Sequence, residues 1–414
     1  MTPPWFELPT PEACGWAIPP DDSPVNSTAI IGAGIAGLCA AKALLKKGFP
    51  VTVYEAAPDC AAGASASPAG IIKPYVTRQP SDAMRFYTEA YKTLFRWLPE
   101  LDNHGGLVSC GALQLIDRKF PDNPDVFETL SAEAASEFAG VQLSQSALRF
   151  KHAGWLSVHQ LCHSLLSDVK ALGGEFKTHH RLQNLSFDSN EDVWTLTFDA
   201  NTTQASHKTV LLASGAALVH CKLLPNPELI AARGQLTQFA RSFALNTVVS
   251  GNNYAIPISS NNDQTIDSIW VGATFDRVND DGACYETDDI KNQANANELL
   301  PHLHQPVDNA LDSFAAVRCT TMDRLPILGP VPDADAALNA YHDIHHGRPL
   351  TDYPAPRFHP GLAVVGGLGS RGIALAPFAA ELFVDWLTGG NKLNEQNRLI
   401  SPLRFLIRQL KRKS

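Results

Sequence analysis

No two of the eight cysteines form a C-x-x-C pair. They stand at positions 14, 39, 60, 110, 162, 221, 284 and 319, too scattered for a disulfide framework or a zinc ligand set, and such spacing suits reduced thiols in a cytoplasm. Long apolar runs are missing too: nothing approaches the roughly 18 uninterrupted residues of a membrane span. The first twenty residues carry prolines and acids instead of a basic segment followed by an apolar one, so no secretory leader is expected. Charge is sparse, at 18% of residues with a formal net value of −9, which excludes a generally basic, nucleic-acid-coating surface. The 44% apolar content is that of a globular chain. At 414 residues the chain is longer than one hydrophobic core usually supports, so two domains are expected. No internal repeat is present.

Up to about residue 26 the chain carries Pro3, Pro4, Pro9, Pro11, Pro19, Pro20 and Pro24, too many for a helix or a central strand. An extended arm is expected over 1–26, with Trp5 and Phe6 able to pin it to a surface. From Ser27 the pattern reads strand (Thr28 to Ile31), glycine turn, helix (35 to 47), Gly48 as its stop, and strand (Val51 to Tyr54). Residues 82 to 98 and 158 to 172 have helical periodicity. "VWTLTF" (Val193 to Phe198) alternates as a strand, and "TVLLASG" (Thr209 to Gly215) reads as a buried parallel strand running into a small-residue turn. "LAVVGGLGSRGIALAPFAAELFVDWL" (Leu362 to Leu387) returns to strand, glycine turn and helix. Nucleotide-fold pieces thus stand at both ends of the chain, which predicts a discontinuous domain with insertions.

Gly32, Gly34 and Gly37 form G-x-G-x-x-G. The first allows a tight turn, the second admits a pyrophosphate close to the backbone, and the third lets helix and strand pack. Ile35 and Ala36 begin the helix, whose unpaired N–H groups favour phosphate. Glu55 follows Gly32 by 23 residues at the end of the second strand, with Ala56 after it. There a carboxylate can accept hydrogen bonds from a ribose diol, and it would repel a 2′-phosphate, which disfavours NADP. FAD is favoured over NAD by two further stretches. "CAAGASASPAGIIKPY" (Cys60 to Tyr75), with Gly63, Ala64, Ser65, Ser67, Ala69, Gly70 and Ile71, is a small-residue loop suited to passing beside a large planar ring. "GGLGSRGIALAP" (Gly366 to Pro377) supplies Gly367, Leu368, Gly369, Ser370, Gly372 and Ile373 in a turn that can aim N–H dipoles at a flavin's pyrimidine edge.

On these residues the chain resembles the D-amino-acid oxidase superfamily, in the branch with glycine and sarcosine oxidases. Closer still, it is similar to the FAD-dependent oxidoreductase half of the MnmC family of bacterial tRNA wobble-uridine enzymes. The matching stretches are "GAGIAG", "GASASPAGIIKPY", "GWLSVHQLCHSLL" (Gly154 to Leu166), "TVLLASG", "RGQLTQ" (Arg233 to Gln238), "VGATFDR", "VRCTTMDRLPILGPVPD" (Val317 to Asp333), "GLGSRGIALAPFAAELF" and the tail "LISPLRFLIRQLKRK". "PPWFELP" (Pro3 to Pro9) resembles the junction that follows the methyltransferase half in the bifunctional enzymes, a half not present here. The expectation is therefore a single-function relative or an excised domain, partnered by a separate or formerly fused SAM-dependent methyltransferase.

The resemblance implies a discontinuous Rossmann-like FAD domain (27–100, 152–215 and 317–392) with an inserted antiparallel-sheet substrate domain (101–151 and 216–316) and a basic tail over 393–414. It adds Leu182, Ala213, Ser214, Gly215 and Gly329 to the cofactor contacts. The implied activity is oxidative removal of the carboxymethyl group from 5-carboxymethylaminomethyl-(2-thio)uridine at the tRNA wobble position, leaving the 5-aminomethyl form and glyoxylate. The group removed is an N-alkylated glycine. Hydride transfer from its CH2 to the flavin gives an imine that water splits, and dioxygen is the expected electron acceptor. That chemistry needs no metal, and none is expected.

What the protein must supply is orientation of a carboxylate. Arginine suits this because its planar fork can grip both oxygens. Arg318, Arg371 and Tyr254 match the positions that hold substrate carboxylate in glycine-oxidase-like relatives. Arg233 departs from several relatives at its position, and Lys73 lies near the ring by sequence. In the tail, Arg404, Arg408, Lys411, Arg412 and Lys413 on a short helix are the expected RNA contacts, with the wobble base splayed out to reach the flavin. Two rival readings stand beside this one: an oxidase of free glycine or sarcosine, and a non-catalytic RNA-binding protein with a flavin fold.

Overall fold

The structure, a computed structural model, describes residues 3–16, 27–199, 203–224, 228–241, 243–259, 267–277, 281–300, 310–346 and 349–412. The chain divides into two compact units. Met1–Ser65, Cys162–Ala231 and Arg318–Ser414 form the first, and Ala66–Leu161 with Ala232–Val317 the second.

The first unit is built on a six-stranded sheet in the order Ile327–Pro332, Phe358–Gly366, Thr209–Leu212, Thr28–Ile31, Val51–Tyr54, Glu175–Lys177. Neighbours run parallel except at the edge, where Ile327–Pro332 is antiparallel to Phe358–Gly366. Thr28–Ile31, Val51–Tyr54 and Thr209–Leu212 are buried at every position, as expected of strands covered on both faces. The helices Ile35–Leu45 and Gly372–Leu387 pack on one another. A second, antiparallel sheet of Leu182–Asp188, Val193–Phe198 and Gln204–His207 contributes Trp194, Leu196 and Phe198 to a core that also holds Tyr54, Val210, Val364 and Phe405.

The chain's two ends depart from expectation. Residues 3–16 are not extended throughout, because Pro4–Phe6 and Glu12–Cys14 form short helical turns; Trp5 pins the arm, 1% exposed and edge-on to Tyr341 and Tyr353, and Trp16 packs edge-on to Phe383. Residues 17–26 lie outside the described residues. The tail forms two helices, Lys392–Ile400 and Arg404–Lys411. The second buries Leu406, Ile407 and Leu410 in one cluster with Trp5, Tyr341 and Tyr353. Apolar residues at helical spacing drive this, because burying each leucine or isoleucine contributes about 1.5–3 kcal/mol.

The second unit holds an eight-stranded sheet ordered Ala310–Thr321, Leu229–Ala240, Ser268–Gly272, Tyr254–Ile258, Val248–Ser250, Ala112–Leu115, Ala147–Phe150, Glu128–Leu130. From Leu229–Ala240 onward neighbours are antiparallel, except the parallel pair Val248–Ser250 with Ala112–Leu115. Its helix Asp82–Gly105 starts at Ser81, whose Oγ accepts from the Met84 N–H at 3.0 Å. Phe86, Tyr87, Ala90, Leu94 and Leu98 make its buried stripe. The architecture is the expected α/β plus α+β combination, but the bounds differ. Residues 66–100 and 152–161 belong to the second unit, and 216–231 together with the tail to the first.

Candidate active site

Every parallel strand of the first unit that carries an expected cofactor residue carries it at the strand's C-terminal end. Gly32–Gly37 follow Thr28–Ile31, Glu55 and Ala56 follow Val51–Tyr54, Ala213–Gly215 follow Thr209–Leu212, and Gly367–Ile373 follow Phe358–Gly366. Ligands of open α/β sheets bind beyond this edge, where strand order reverses.

Three local facts make the edge fit a dinucleotide. Gly32 has φ +108°, and a Cβ there would lie 2.7 Å from the Ala213 carbonyl oxygen. A Cβ on Gly37 would come within 2.0 Å of the Gly32 carbonyl oxygen, so helix and strand meet at a distance only glycine allows. Glu55 is held from both sides: Oε2 accepts from the Ala33 N–H at 2.7 Å and Oε1 from the Ala57 N–H at 3.0 Å. A carboxylate has about four lone-pair sites, which leaves acceptor capacity for a ribose diol. At the helix start, the Ile35 N–H donates to Ser65 Oγ at 3.0 Å, and that oxygen lies as close to where a Gly34 Cβ would be. Ala36 follows in the same turn. Gly63 and Ala64 approach Ser65 through a short helical turn, with open space beside Gly63.

The second glycine turn reaches the same edge. Gly367 (φ +66°) would place a Cβ 2.8 Å from Thr321 Cγ2, Gly369 (φ +57°) 3.2 Å from Thr320 Oγ1, and Gly372 3.6 Å from Ile35 Cγ2. The two helices therefore begin side by side. Leu368 and Ser370 lie within this turn, Ser214 precedes Gly215 (φ +57°), and Ile373 is buried. Gly329 pairs with Val364 inside the edge strand, and Leu182 packs against the core at the start of its own strand.

Both candidate arginines lie in the first unit, each half-buried. Arg318 stands near the end of Ala310–Thr321 and Arg371 closes the second glycine turn. Their segments touch, because Thr320 lies against Gly369. Between them Cys319 is buried, and burial pushes its thiol up to about 11 while a hydrogen bond with the Gly367 backbone pulls it down. Tyr254 belongs to the second unit, as the first residue of its strand, paired with Gly272 and Ser250. Ser67, Ala69, Gly70 and Ile71 are also there: Ser67 Oγ donates to the Ala69 carbonyl, and Gly70 and Ile71 pair with Leu156 and Trp155. Lys73 Nζ donates to Gln114 Oε1 at 2.6 Å.

Arg233, to which the sequence reading gave no role, and Arg404, which it gave to RNA, are both engaged inside the protein, and the second placement is a correction. Arg233 is fully buried in the second unit, with Nη1 on Asp288, Nη2 on Gln235 Oε1 at 2.8 Å and its guanidinium 4.5 Å over the Tyr285 ring. Its charge is spent within the unit. Arg404, expected to face RNA, is 3% exposed. Its Nε and Nη2 grip the two oxygens of Asp323, each at 3.0 Å, and Nη2 also donates to the Leu325 carbonyl at 2.8 Å. Such a buried fork is unavailable to a phosphate. Arg408, half-exposed, joins the same carboxylate at 3.0 Å. Lys411 and Arg412 are exposed, and Lys413 lies outside the described residues.

Sequence reasoning missed two clusters. Asp59, Cys60 and His163 bring one donor atom each within 4.8 Å of one another; the helix that supplies His163 begins some hundred residues after Cys60, beyond reach of motif spacing. Burial, reinforced by Asp59, pushes the Cys60 thiol up to about 12. His207, on the antiparallel sheet, joins the Ser27 carbonyl (2.9 Å, Nδ1) to the Tyr54 hydroxyl (2.8 Å, Nε2) at the end of a strand of the six-stranded sheet.

A family model described as FAD dependent oxidoreductase (DAO) matches residues 27–386. The chain belongs to this family. FAD is its cofactor, and the chain is an oxidoreductase. It is 29% identical over 435 aligned positions to the tRNA 5-methylaminomethyl-2-thiouridine biosynthesis bifunctional protein MnmC of Chromobacterium violaceum, with 98% of this chain and 64% of that protein covered. The chain thus spans less than two thirds of that relative's length. Among solved structures, glycine oxidase from Geobacillus kaustophilus matches at TM-score 0.69 and 20% identity, over 88% of this chain and 95% of that one. Iminodiacetate oxidase from a Chelativorans species matches at 0.66 and 19%, over the same shares. These two likenesses concern the fold. Among the described residues, no helix of this FAD-dependent oxidoreductase is long and apolar enough to cross a membrane.

Proposed function

We propose that the chain oxidatively removes the carboxymethyl group from 5-carboxymethylaminomethyl-(2-thio)uridine at the tRNA wobble position, giving the 5-aminomethyl nucleoside and glyoxylate. The observation that carries this reading is the likeness to an MnmC protein over 98% of the chain. FAD, when bound, supplies the acceptor for a hydride from the carbon between amine and carboxylate, and dioxygen is the proposed final acceptor. The chain's own residues hold the substrate. Arg318 and Arg371, on touching segments, grip the carboxylate and so fix the CH2 that reacts. Loss of hydride and the amine proton leaves a C=N bond. Water adds to its carbon, the C–N bond breaks, and the amine stays on the uridine. Gly32, Gly34, Gly37 and Glu55 would hold the adenosine diphosphate portion of FAD, and the turn Gly367–Ile373 the ring end.

A second reading, an oxidase of free glycine or sarcosine, gains from the burial of Arg404 and the engagement of Arg408 on Asp323. Those contacts remove two of the cations expected to bind RNA. Aerobic incubation of the holoprotein with tRNA carrying the carboxymethylaminomethyl group, followed by nucleoside mass analysis, separates the two. Conversion to the aminomethyl nucleoside supports the first reading. Unmodified tRNA alongside rapid sarcosine turnover overturns it.

A further inference from the structure

The strand that carries Arg318 ends in a tight turn, Thr321–Leu325, before the chain re-enters the sheet at Ile327. The turn is demanding: Arg324 sits at φ +63°, a left-handed conformation that non-glycine residues adopt only where their surroundings hold them in it. It is closed by the Arg324 N–H donating to the Thr321 carbonyl at 3.1 Å and by Thr321 Oγ1, buried, 2.7 Å from the Leu325 carbonyl. Asp323 is the hub. Its Oδ1 accepts from the Leu325 N–H at 3.2 Å, lies 3.1 Å from Thr321 Oγ1 and accepts from Arg404 Nη2. Its Oδ2 accepts from Arg404 Nε and from Arg408 Nη2. Arg404 is itself fixed by the Ser401 and Leu325 carbonyls and by the burial of Phe405, Leu406 and Ile407 around it. On its other side the turn's first residue, Thr321, touches Gly367, and Thr320 touches Gly369. The second glycine turn, with Arg371 at its end, therefore rests on the segment that Asp323 holds.

We propose that Asp323, clasped by Arg404 and Arg408, is a positioning residue for the carboxylate grip: the C-terminal helix sets the relative placement of Arg318 and Arg371. This rests on the reading that those two arginines hold the substrate carboxylate. Arg404 and Arg408 are thus an internal part of the site's scaffold, and a bidentate fork is required because a single point charge would leave the turn free to rotate about one contact.

The test uses the FAD-loaded full chain and glycolate, a carboxylate with no nitrogen to oxidise. Its Kd is read from perturbation of the bound flavin's visible spectrum, with FAD content and melting temperature recorded alongside. Arg404→Gln is expected to raise the glycolate Kd about tenfold, since misplacement remote from the chemistry has effects of that order or more, while FAD content is retained. Arg404→Lys recovers part of the loss, and Arg408→Gln gives a smaller rise in the same direction. An Arg404→Gln protein with a lower melting temperature but unaltered glycolate Kd overturns the proposal, because a merely structural ion pair behaves that way. Arg318→Lys is the control for the underlying reading. If it leaves glycolate affinity unaltered, the grip itself is wrong; if it weakens binding while the Arg404 and Arg408 variants do not, only the clasp is wrong. Should Arg404→Gln fail to give folded holoprotein, Arg408→Gln, altered at a half-exposed side chain, decides by the same two results.

Discussion

Gly37 and Arg318 are expected to fail in different ways if replaced, and the difference separates the cofactor contact proposed for the one from the substrate contact proposed for the other. A methyl group at Gly37 would sit 2.0 Å from a backbone oxygen that has no room to retreat, so Gly37→Ala is expected to yield little FAD-loaded protein, measured as the flavin-to-protein ratio after purification. Arg318→Ala and Arg371→Ala are expected to keep the yellow colour and to lower kcat/KM on an N-substituted glycine about a hundredfold or more, as loss of a charged bidentate contact does. Loss of flavin in either arginine variant would reassign that residue to the cofactor. At this scale the sequence is legible where chemistry depends on short spacing. Gly32, Gly34, Gly37 and Glu55 lie within one β-α-β unit, and the hydrogen bonds to Glu55 come from Ala33 and Ala57 of that unit. Arg404 was misread because its partner, Asp323, lies 81 residues away. A cation on an amphipathic helix looks the same in sequence whether it faces solvent or a buried acid.

Among the elements, the buried strands and the helices behind each glycine turn follow from periodicity, because their apolar positions repeat within a few residues. The amino-terminal segment did not follow: its prolines permit only the short helical turns Pro4–Phe6 and Glu12–Cys14, and nothing local says that Trp5 finds Tyr341 and Tyr353. The junction of Ser27, Tyr54 and His207 was also hidden, since the antiparallel sheet that carries His207 meets the sheet that carries Tyr54 only after both have formed. Burial, aided by nearby Lys177, pushes the His207 pKa down, outweighing the Ser27 carbonyl and Glu175 that raise it. The folded state therefore keeps this imidazole neutral, while the unfolded chain takes up a proton below about pH 6.5. Stability from this site is present above that pH and is lost as pH falls from there toward the lowered folded value. The melting temperature should drop between about pH 7 and pH 5 more steeply in the native protein than in His207→Gln. Equal slopes would show that His207 does not titrate in this way.

For the whole molecule, the sequence foretold a discontinuous nucleotide-binding unit and an antiparallel companion, because glycine turns at both ends of the chain require one sheet to collect them. It did not foretell that Asp82–Gly105 belongs to the antiparallel unit. An amphipathic stripe says that a helix is covered, not by which sheet. Substrate identity is likewise a property of the assembled molecule: a grip on an N-linked glycine is common to free amines and to a modified wobble uridine, and only the remainder of the substrate distinguishes them. The most direct measurement is anaerobic titration of the FAD-loaded chain, following the visible flavin band. The account predicts that tRNA bearing carboxymethylaminomethyluridine bleaches the band while the same tRNA lacking that group leaves it unchanged. A band that the modified tRNA leaves unbleached, whether or not free N-substituted glycines bleach it, would contradict it.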